Sequence, residues 1–290
     1  MYDVIIVGGS YAGLSAALTL GRSRRKVLVI DAGRPANRFT PHAHNFITQD
    51  GRPPEAIREA ARRDVNDYPS VSFLSAEVIK ARATDAGFTV VTVAGEELTA
   101  RKLLLSTGVH DLLPDNVGGY RECWGKTIIH CPYCHGYEHR DQATGVWVNG
   151  SSAVHYAKLV RNLTQQVVVF TNGDPTFDPA DLPTGVALDT RLIDRVDQRD
   201  GQIEAVVFRD GSRHPLSVLY NSPPFTLPTD VSHQLGLEHS DAGHIVINST
   251  METSSPGVFA AGDCATAFRS VAMATMQGNI AGATLNSHLL

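Results

Sequence analysis

The sequence predicts an α/β protein with two Rossmann-like, three-layer dinucleotide-binding domains, the second inserted into the first. Three observations lead to this prediction. A strand, glycine-rich turn and helix pattern occupies the N-terminus, and a second pattern of this kind begins near residue 145. A glycine-acid pair, Gly262-Asp263, follows another apolar strand near the far end of the chain, which indicates that the chain returns to the first domain.

The N-terminal residues have the pattern of a dinucleotide-binding βαβ unit. Residues 3–7 predict a buried strand, residues 8–13 a tight turn and residues 14–20 a helix. Such a turn brings backbone N–H groups and a helix N-terminus to a pyrophosphate, and an acid after the next strand binds a ribose hydroxyl. The middle glycine of the usual pattern is replaced by serine. The candidate cofactor residues here are Gly8, Ser10, Tyr11, Ala12, Gly13, Asp31 and Ala32.

The run 253–263 combines a turn, a short apolar strand and the Gly-Asp pair. It resembles the motif with which flavoproteins that contain two dinucleotide-binding domains hold the ribityl-phosphate part of FAD. The run 103–108 resembles the strand and Thr-Gly turn where the chain leaves the flavin domain. Three motifs in this order predict FAD, with the further candidate residues Asn45, Thr107, Gly108, Gly262, Asp263, Arg269, Ser270 and Val271.

Cys131 and Cys134 form a Cys-x-x-Cys pair, which indicates a redox-active dithiol. Half of a zinc site is an alternative, with His130, His135 or His139 as further ligands, but a structural zinc needs four ligands and the other two cysteines are isolated. A purely structural disulfide is a weaker alternative because so short a loop constrains the unfolded chain little. We expect no metal.

The length of 290 residues suits two domains. We expect an FAD-binding domain from residues 1–112 and 241–290, and an inserted NAD(P)H-binding-like domain from residues 113–240 that carries the cysteine pair. Proline and adjacent glycines in residues 112–120 have the composition of a linker. The second βαβ pattern comprises a strand near residues 146–148, a helix to about residue 163 and a strand at 167–170.

Composition excludes several classes of function. The formal net charge is -5, which gives no reason to expect a nucleic-acid partner. No apolar stretch approaches the roughly 20 residues that span a membrane, and no signal peptide precedes the first strand. We therefore expect no membrane partner and a cytoplasmic location.

With its Cys-x-x-Cys placed shortly before the second βαβ unit, the chain resembles the low-molecular-weight thioredoxin reductase family over essentially its whole length. This resemblance implies a homodimeric flavoprotein that passes electrons through FAD to the cysteine pair. It also implies that Cys134 lies against the isoalloxazine ring and that Cys131 attacks the disulfide of a partner, such as thioredoxin or a small molecule.

His135 follows the second cysteine, where typical thioredoxin reductases have an aspartate. Histidine titrates near neutrality, so we expect His135 to transfer the proton of the catalytic thiols. A histidine without a catalytic role is the alternative. The run 131–138 also resembles the motif of flavin-dependent dithiol oxidases, which gives a second candidate activity.

The second nucleotide pattern departs from that of NADPH-dependent relatives. Val148 stands where the first glycine of the turn is usual, and residues 171–174 contain Asp174 but no cation for a 2′-phosphate. We therefore predict a donor other than NADPH, such as a ferredoxin-like protein or a reduced flavin. The alternatives are use of NADH, an ordinary NAD(P)H-dependent thioredoxin reductase and a non-catalytic flavin redox sensor.

Overall fold

The computed structural model describes residues 1–290 and divides into two compact units. The first unit comprises Met1–Arg38, Pro54–His110 and Phe225–Leu290. The second comprises Phe39–Pro53 and Asp111–Pro224.

The chain contains seventeen strands and seven α-helices. The strands are β1 (Tyr2–Val7), β2 (Val27–Asp31), β3 (Val71–Ser75), β4 (Val78–Thr84), β5 (Gly87–Thr92), β6 (Glu97–Leu105), β7 (His110–Asp111), β8 (Ile128–Ile129), β9 (Thr144–Trp147), β10 (Val167–Phe170), β11 (Ala187–Asp189), β12 (Ile193–Arg199), β13 (Gln202–Phe208), β14 (Arg213–Pro215), β15 (Val218–Asn221), β16 (Phe225–Thr226) and β17 (Val258–Ala260). The α-helices are α1 (Tyr11–Arg22), α2 (Pro54–Asn66), α3 (Tyr120–Cys123), α4 (Pro132–His135), α5 (Ser151–Arg161), α6 (Val231–Gln234) and α7 (Val271–Ser287). Short 3-10 turns occur at Ala36–Phe39, Tyr137–His139 and Pro179–Asp181. None of the helices has both the length and the apolar character needed to cross a membrane.

The sheet of the first unit has the order β3-β2-β1-β6-β5-β4, and β17 also pairs with β6. Two strands therefore pair with the same edge of β6. The first half of β6 pairs antiparallel with β5, and its last residues pair parallel with β17. Strands β1, β2, β6 and β17 are mutually parallel, so their carboxyl ends meet at one edge. Open parallel sheets bind ligands at that edge.

Both faces of this sheet are covered, as expected for parallel strands with continuous apolar runs. Ile6 is fully buried with residues of α1 and α7 on one face. Its neighbour Ile5 points to the other face, where it joins a cluster that includes Val231, Leu237 and Ile245. The alternation along β1 therefore supplies two cores with one strand.

Helices α1 and α7 pack closely because glycines in α7 face the backbone of α1. A Cβ on Gly278 would collide with the carbonyl oxygen of Ala12. A Cβ on Gly282 would lie 2.9 Å from the carbonyl oxygen of Ala16. The distance between the two helices is thus set by backbone contacts, which cannot be relieved by rotating a side chain.

The second unit contains a parallel five-stranded sheet of order β11-β10-β9-β15-β8 and an antiparallel three-stranded sheet of order β12-β13-β14. Strand β12 was not predicted. Only Ile193 and Val196 of its seven residues are buried, so the sequence gives little apolar signal. Strands β7 and β16 form a further two-stranded sheet.

The unit boundaries differ from those expected from the sequence. Residues 225–240, assigned to the inserted domain, cluster with the first unit because Val231 and Leu237 lie in its core. Phe39–Pro53, assigned to the FAD-binding domain, clusters with the second unit. The sequence pattern gives no information about which core the apolar residues before residue 241 join.

Substitution of Gly278 by alanine is expected to destabilise the protein. Alanine favours a helix by roughly 1 kcal/mol over glycine, but the collision with Ala12 costs about 1–3 kcal/mol or more. Thermal unfolding of the purified protein should show a lower midpoint. Ala283→Ser, at an exposed position of the same helix, serves as the control and should remain within about 0.5 kcal/mol of the wild type. A Gly278→Ala protein as stable as wild type would contradict this account.

Candidate functional site

The turn between β1 and α1 is held by Ser106, which directly follows β6. Gly8 has a φ of +107°, and a Cβ there would collide with the carbonyl oxygen of Ser106. The Oγ of Ser106 lies 2.8 Å from the carbonyl oxygen of Gly8 and 3.2 Å from that of Val7. Ser106 is not predicted as a site residue from the sequence, because a serine between a strand and a Thr-Gly turn carries no motif of its own.

The first turn of α1 offers backbone N–H groups that have no acceptor within the helix. Ser10 precedes the helix in an extended conformation, and its side chain forms no capping hydrogen bond. The Tyr11 hydroxyl donates to the carbonyl oxygen of Pro54 (3.1 Å) and accepts from Asn37 (3.2 Å), while burial raises the pKa of Tyr11. Tyr11 therefore contributes its backbone to the turn, and this helix start suits an anionic group.

Asp31 ends β2 beside the same turn. A Cβ on Gly9 would lie 2.8 Å from the Cβ of Asp31 and 3.2 Å from a carboxylate oxygen, so glycine allows this close approach. Ala32 follows and is exposed. The acid and the glycine turn thus share one edge of the sheet, in the arrangement that binds the ribose and pyrophosphate of a dinucleotide.

Gly262, after β17, brings the C-terminal motif to the N-terminal turn. A Cβ on Gly262 would lie 3.2 Å from the Cβ of Ala12. The Gly262 N–H donates to Oε1 of Gln277 (2.7 Å), a buried residue of α7. Gln277 is a second residue that the sequence analysis missed, because a single glutamine within a helix carries no signal.

The remaining C-terminal candidates group at the start of α7. The Nε of Arg269 donates to the Asp263 carboxylate (3.4 Å), and both side chains are mostly buried. Ser270 caps α7 by accepting from the N–H of Met273 (3.1 Å), and Val271 is the first residue of the helix. Buried charges require partners, so this pair fixes the orientation of the Asp263 carboxylate.

Cys264 is a structural cysteine. It is fully buried, and its Sγ lies 3.4 Å from the carbonyl oxygens of Leu105 and Ala261. Burial raises the pKa of this thiol to about 11, and the nearby Thr107 and Gly108 lower it by less. At physiological pH, Cys264 is therefore a protonated thiol and not the thiolate that thiol-disulfide exchange requires.

His244 has a buried Nε2 with no hydrogen-bond partner within the chain. Its ring contacts Phe225, with the centroids 4.7 Å apart. Burial lowers the pKa of His244, and the charge of Arg269 lowers it further. Since buried polar atoms are nearly always hydrogen-bonded, this nitrogen suits a polar group that the chain does not supply. With the glycine turn and the two acids, the residues of the first unit fit FAD.

Asn45 is the one candidate cofactor residue that does not cluster with the first unit. It has a φ of +59°, and its N–H donates to Oδ1 of Asp50 (2.7 Å). This hydrogen bond holds Asn45 in a left-handed conformation that asparagine tolerates better than most residues.

Cys131 and Cys134 form a disulfide at the start of α4, with their Cα atoms 5.3 Å apart. The N–H of Cys134 donates to the Sγ of Cys131 (3.2 Å), and both residues are half-buried. Pro132 occupies the first helical position, where its fixed φ suits a helix start. The sequence left a zinc site open, whereas the structure pairs the two sulfurs with each other.

His135 lies in the same turn and is half-buried. Its pKa falls to about 4, chiefly through loss of hydration on burial and then through the charge of His44, while Glu138 opposes the change. The expectation that His135 titrates near neutrality is therefore wrong for the disulfide form of the protein. A neutral imidazole still accepts a proton, so the residue retains the capacity of a base.

A cavity of about 420 Å³ opens at the carboxyl ends of β9, β10 and β15 in the second unit. Val148 lies in its wall at the turn before α5. No lining residue is charged. The lining comprises Leu112, Pro114, Trp147, Val148, Asn149, Ser152, Tyr156, Thr171, Asn172, Asn221, Ser222, Pro223 and Pro224.

Asn149 joins the two loops that border this cavity. Its Oδ1 accepts from the N–H groups of Gly150 and Thr176, each at 2.9 Å. Its Nδ2 donates to the carbonyl oxygens of Thr171 (3.3 Å) and Asp174 (2.9 Å). The loop after β10 is therefore held by a neutral side chain and presents no cation at residues 171–174.

Comparison with known proteins agrees with this architecture. A family model described as pyridine nucleotide-disulphide oxidoreductase matches residues 2–278. Thioredoxin reductase tcpT of Claviceps purpurea is 34% identical over 99% of this chain and 94% of its own length. The structure of an oxidoreductase from Agrobacterium tumefaciens is 38% identical, with a TM-score of 0.90 over 99% of this chain and 97% of its own. A putative thioredoxin reductase, TrxB, from Bacillus anthracis is 31% identical, with a TM-score of 0.93 over 99% and 98% of the two chains.

The parallel sheets, the glycine turn and the C-terminal Gly-Asp motif define a flavin-dependent oxidoreductase with Rossmann-like domains. The chain belongs to the pyridine nucleotide-disulphide oxidoreductase family and is thioredoxin reductase-like within it. Its cofactor is FAD. The fold class, the family and the cofactor predicted from the sequence are thereby confirmed, while the roles of individual residues stay predictions.

Asp263→Ala is expected to weaken FAD binding. Hydrogen bonds that involve a charged group contribute about 1.5–3 kcal/mol, so the dissociation constant should rise roughly 10- to 150-fold. Flavin fluorescence during titration of the apoprotein measures this constant. Asp241→Ala, at an exposed position of the same unit, is the control and should bind FAD normally. Unchanged affinity in the Asp263 variant would remove this residue from the cofactor site.

Proposed function

We propose that the protein passes electrons through FAD to the Cys131-Cys134 disulfide and on to a protein disulfide such as that of thioredoxin, with a donor other than NADPH. The observation that carries the proposal is the pairing of a closed, half-buried disulfide with a nucleotide cavity that contains no charged residue in the same unit. The similarity to thioredoxin reductases supports the proposed partner.

FAD, when bound, supplies two-electron redox chemistry. The cysteine pair then works as a dithiol, in which one thiolate attacks the partner's disulfide and the other releases the mixed disulfide. We assign the attack to Cys131 and the release to Cys134. His135, neutral at physiological pH, accepts the proton of the attacking thiol.

The proposed independence from NADPH rests on charge and shape. A 2′-phosphate carries close to two negative charges, and each lost charge-assisted hydrogen bond costs about 1.5–3 kcal/mol. The loop after β10 offers Asp174 and neutral side chains in this region, and Val148 adds a branched side chain to the turn. A ferredoxin-like protein or a reduced flavin is the proposed donor.

Cys131→Ser is expected to leave Cys134 as a thiolate beside oxidised FAD and to give a broad long-wavelength absorption band. Cys134→Ser, the matched variant, should not show the band. Both variants should lose steady-state disulfide reduction, because a dithiol needs two thiols. Visible spectra of the purified variants across pH measure the band, and the reverse pattern would exchange the two roles.

Excess NADPH is expected to bleach the flavin slowly or not at all, whereas dithionite should reduce it fully. The double variant Val148→Gly/Asp174→Arg, which restores a glycine and adds a cation, should be reduced faster by NADPH than the wild type. Anaerobic stopped-flow absorbance measures both rates. Rapid stoichiometric reduction of the wild type by micromolar NADPH would identify an ordinary NADPH-dependent reductase.

A small-molecule dithiol oxidase is the second candidate, favoured by His135 in place of the usual aspartate. Such an enzyme runs in the opposite direction, with electrons passing from a dithiol to oxygen. Bleaching by a reduced dithiol, followed by return of the colour and formation of peroxide in air, would place this activity first. Exchange between flavin and thiols without multiple turnovers would indicate a redox sensor. Homodimer assembly and a cytoplasmic location stay predictions.

A further inference from the structure

The loop of residues 44–51 places a second histidine, His44, beside His135. Ala43 and Arg52 pair at the neck of this loop, where the Ala43 N–H donates to the carbonyl oxygen of Arg52 (2.8 Å). His44 directly follows Ala43, and its ring packs edge-on against that of His135, with the ring centroids 6.2 Å apart. All four residues belong to the second unit.

His44 lies between two carboxylates. Its Nδ1 is 3.6 Å from Oδ2 of Asp50 and 3.6 Å from Oε1 of Glu138, and only 19% of its side chain is exposed. Asp50 is held in turn by the N–H of Asn45. Opposite charges at this distance attract a protonated imidazole, and partial burial weakens the screening by solvent.

The charged groups near His135 have opposite effects on its pKa. His44 and His139 disfavour a proton on His135, and Glu138 favours it. His42 is the remaining neighbour of His44, with ring centroids 6.4 Å apart. Burial, and then the charge of Glu138, raises the pKa of the Tyr220 phenol, which therefore stays neutral.

We propose that His44 is a positioning residue of the disulfide site: held between Asp50 and Glu138, it helps to keep the His135 imidazole unprotonated, and so able to accept the thiol proton, while the cysteine pair exchanges with a disulfide. No role for His44 is predicted from the sequence, since an isolated histidine in a loop carries no motif. The assignment rests on the proposed function, in which Cys131 and Cys134 are the redox couple.

The step that His44 would influence is the attack of the reduced pair on a substrate disulfide. The Cys131 thiol transfers its proton to the neutral imidazole of His135, and the resulting thiolate attacks one substrate sulfur. The substrate S–S bond breaks, a mixed disulfide forms and the first substrate thiolate leaves. The Cys134 thiolate then attacks the Sγ of Cys131, the second substrate thiolate leaves, and the protein disulfide closes. The dithiol loses two electrons and the substrate disulfide gains two.

The test compares the charge at position 44 in the FAD-loaded protein. In His44→Gln, loss of the positive charge should raise the pKa of His135 by roughly 0.5 to 1 pH unit, measured by imidazole NMR with His135→Gln to assign the signal. His44→Lys keeps a positive charge between the carboxylates and should restore the wild-type value. His42→Gln is the matched control and should leave it unchanged.

The same variants are then reduced with dithionite and mixed anaerobically with dithiobis(nitrobenzoate). At pH values below the new midpoint, His44→Gln should react roughly three- to tenfold more slowly than wild type, because less of its His135 is neutral. His44→Lys and His42→Gln should follow the wild-type pH profile. Agreement between the NMR shift and the kinetic shift supports the proposal.

An unchanged pKa of His135 in His44→Gln would overturn the proposal, as would a shifted pKa without a shifted kinetic profile. Equal shifts of the His135 pKa in His44→Gln and His44→Lys would also overturn it, because they would show that His44 acts through packing and not through its charge. Failure of the proposed function is seen separately. In that case, Cys131→Ser and Cys134→Ser would retain disulfide turnover, whatever the titration of His135.

Discussion

The close approach of backbone to backbone at the carboxyl edge of the first sheet is the constraint on which the cofactor site depends. Gly8 lies against the carbonyl group of Ser106, and a Cβ on Gly13 would collide with the carbonyl oxygen of Gly8. Gly278 then brings α7 against the carbonyl oxygen of Ala12. Because these contacts involve main-chain atoms, a larger residue at any of the three glycines moves whole elements.

This packing brings two motifs more than 240 residues apart in the sequence to one edge of the sheet. Gly262 lies against Ala12 of α1, and its N–H donates to Gln277 of α7. The position of the next residue, Asp263, therefore depends on how α7 packs against α1. The Asp263 carboxylate is then oriented by Arg269. The acid that we assign to FAD is thus positioned by helix packing as much as by its own strand.

The sequence predicted those features whose physical cause is local. Apolar runs and glycine turns marked β1, α1 and β10, and the Cys-x-x-Cys motif marked the disulfide. It missed Ser106, Gln277 and β12, since their roles follow from neighbours distant in the chain or from strands with few apolar residues. The expected protonation of His135 failed for the same reason. Its pKa depends on burial and on His44, neither of which the run 131–138 reveals.

Charge is distributed unevenly within the second unit, between its cavity and its disulfide turn. The lining of the cavity at the carboxyl ends of β9, β10 and β15 is neutral, whereas the acids Asp50 and Glu138 lie beside His44 near the disulfide turn. The cavity lining offers no charged partner to a phosphate, while the charges beside the disulfide act on the pKa of His135. If electrons reach FAD without a nicotinamide nucleotide, the remaining task of this unit is to control the thiols. The neutral cavity and the charged groups around His44 are consistent with a second unit that controls the thiols and does not bind a 2′-phosphate.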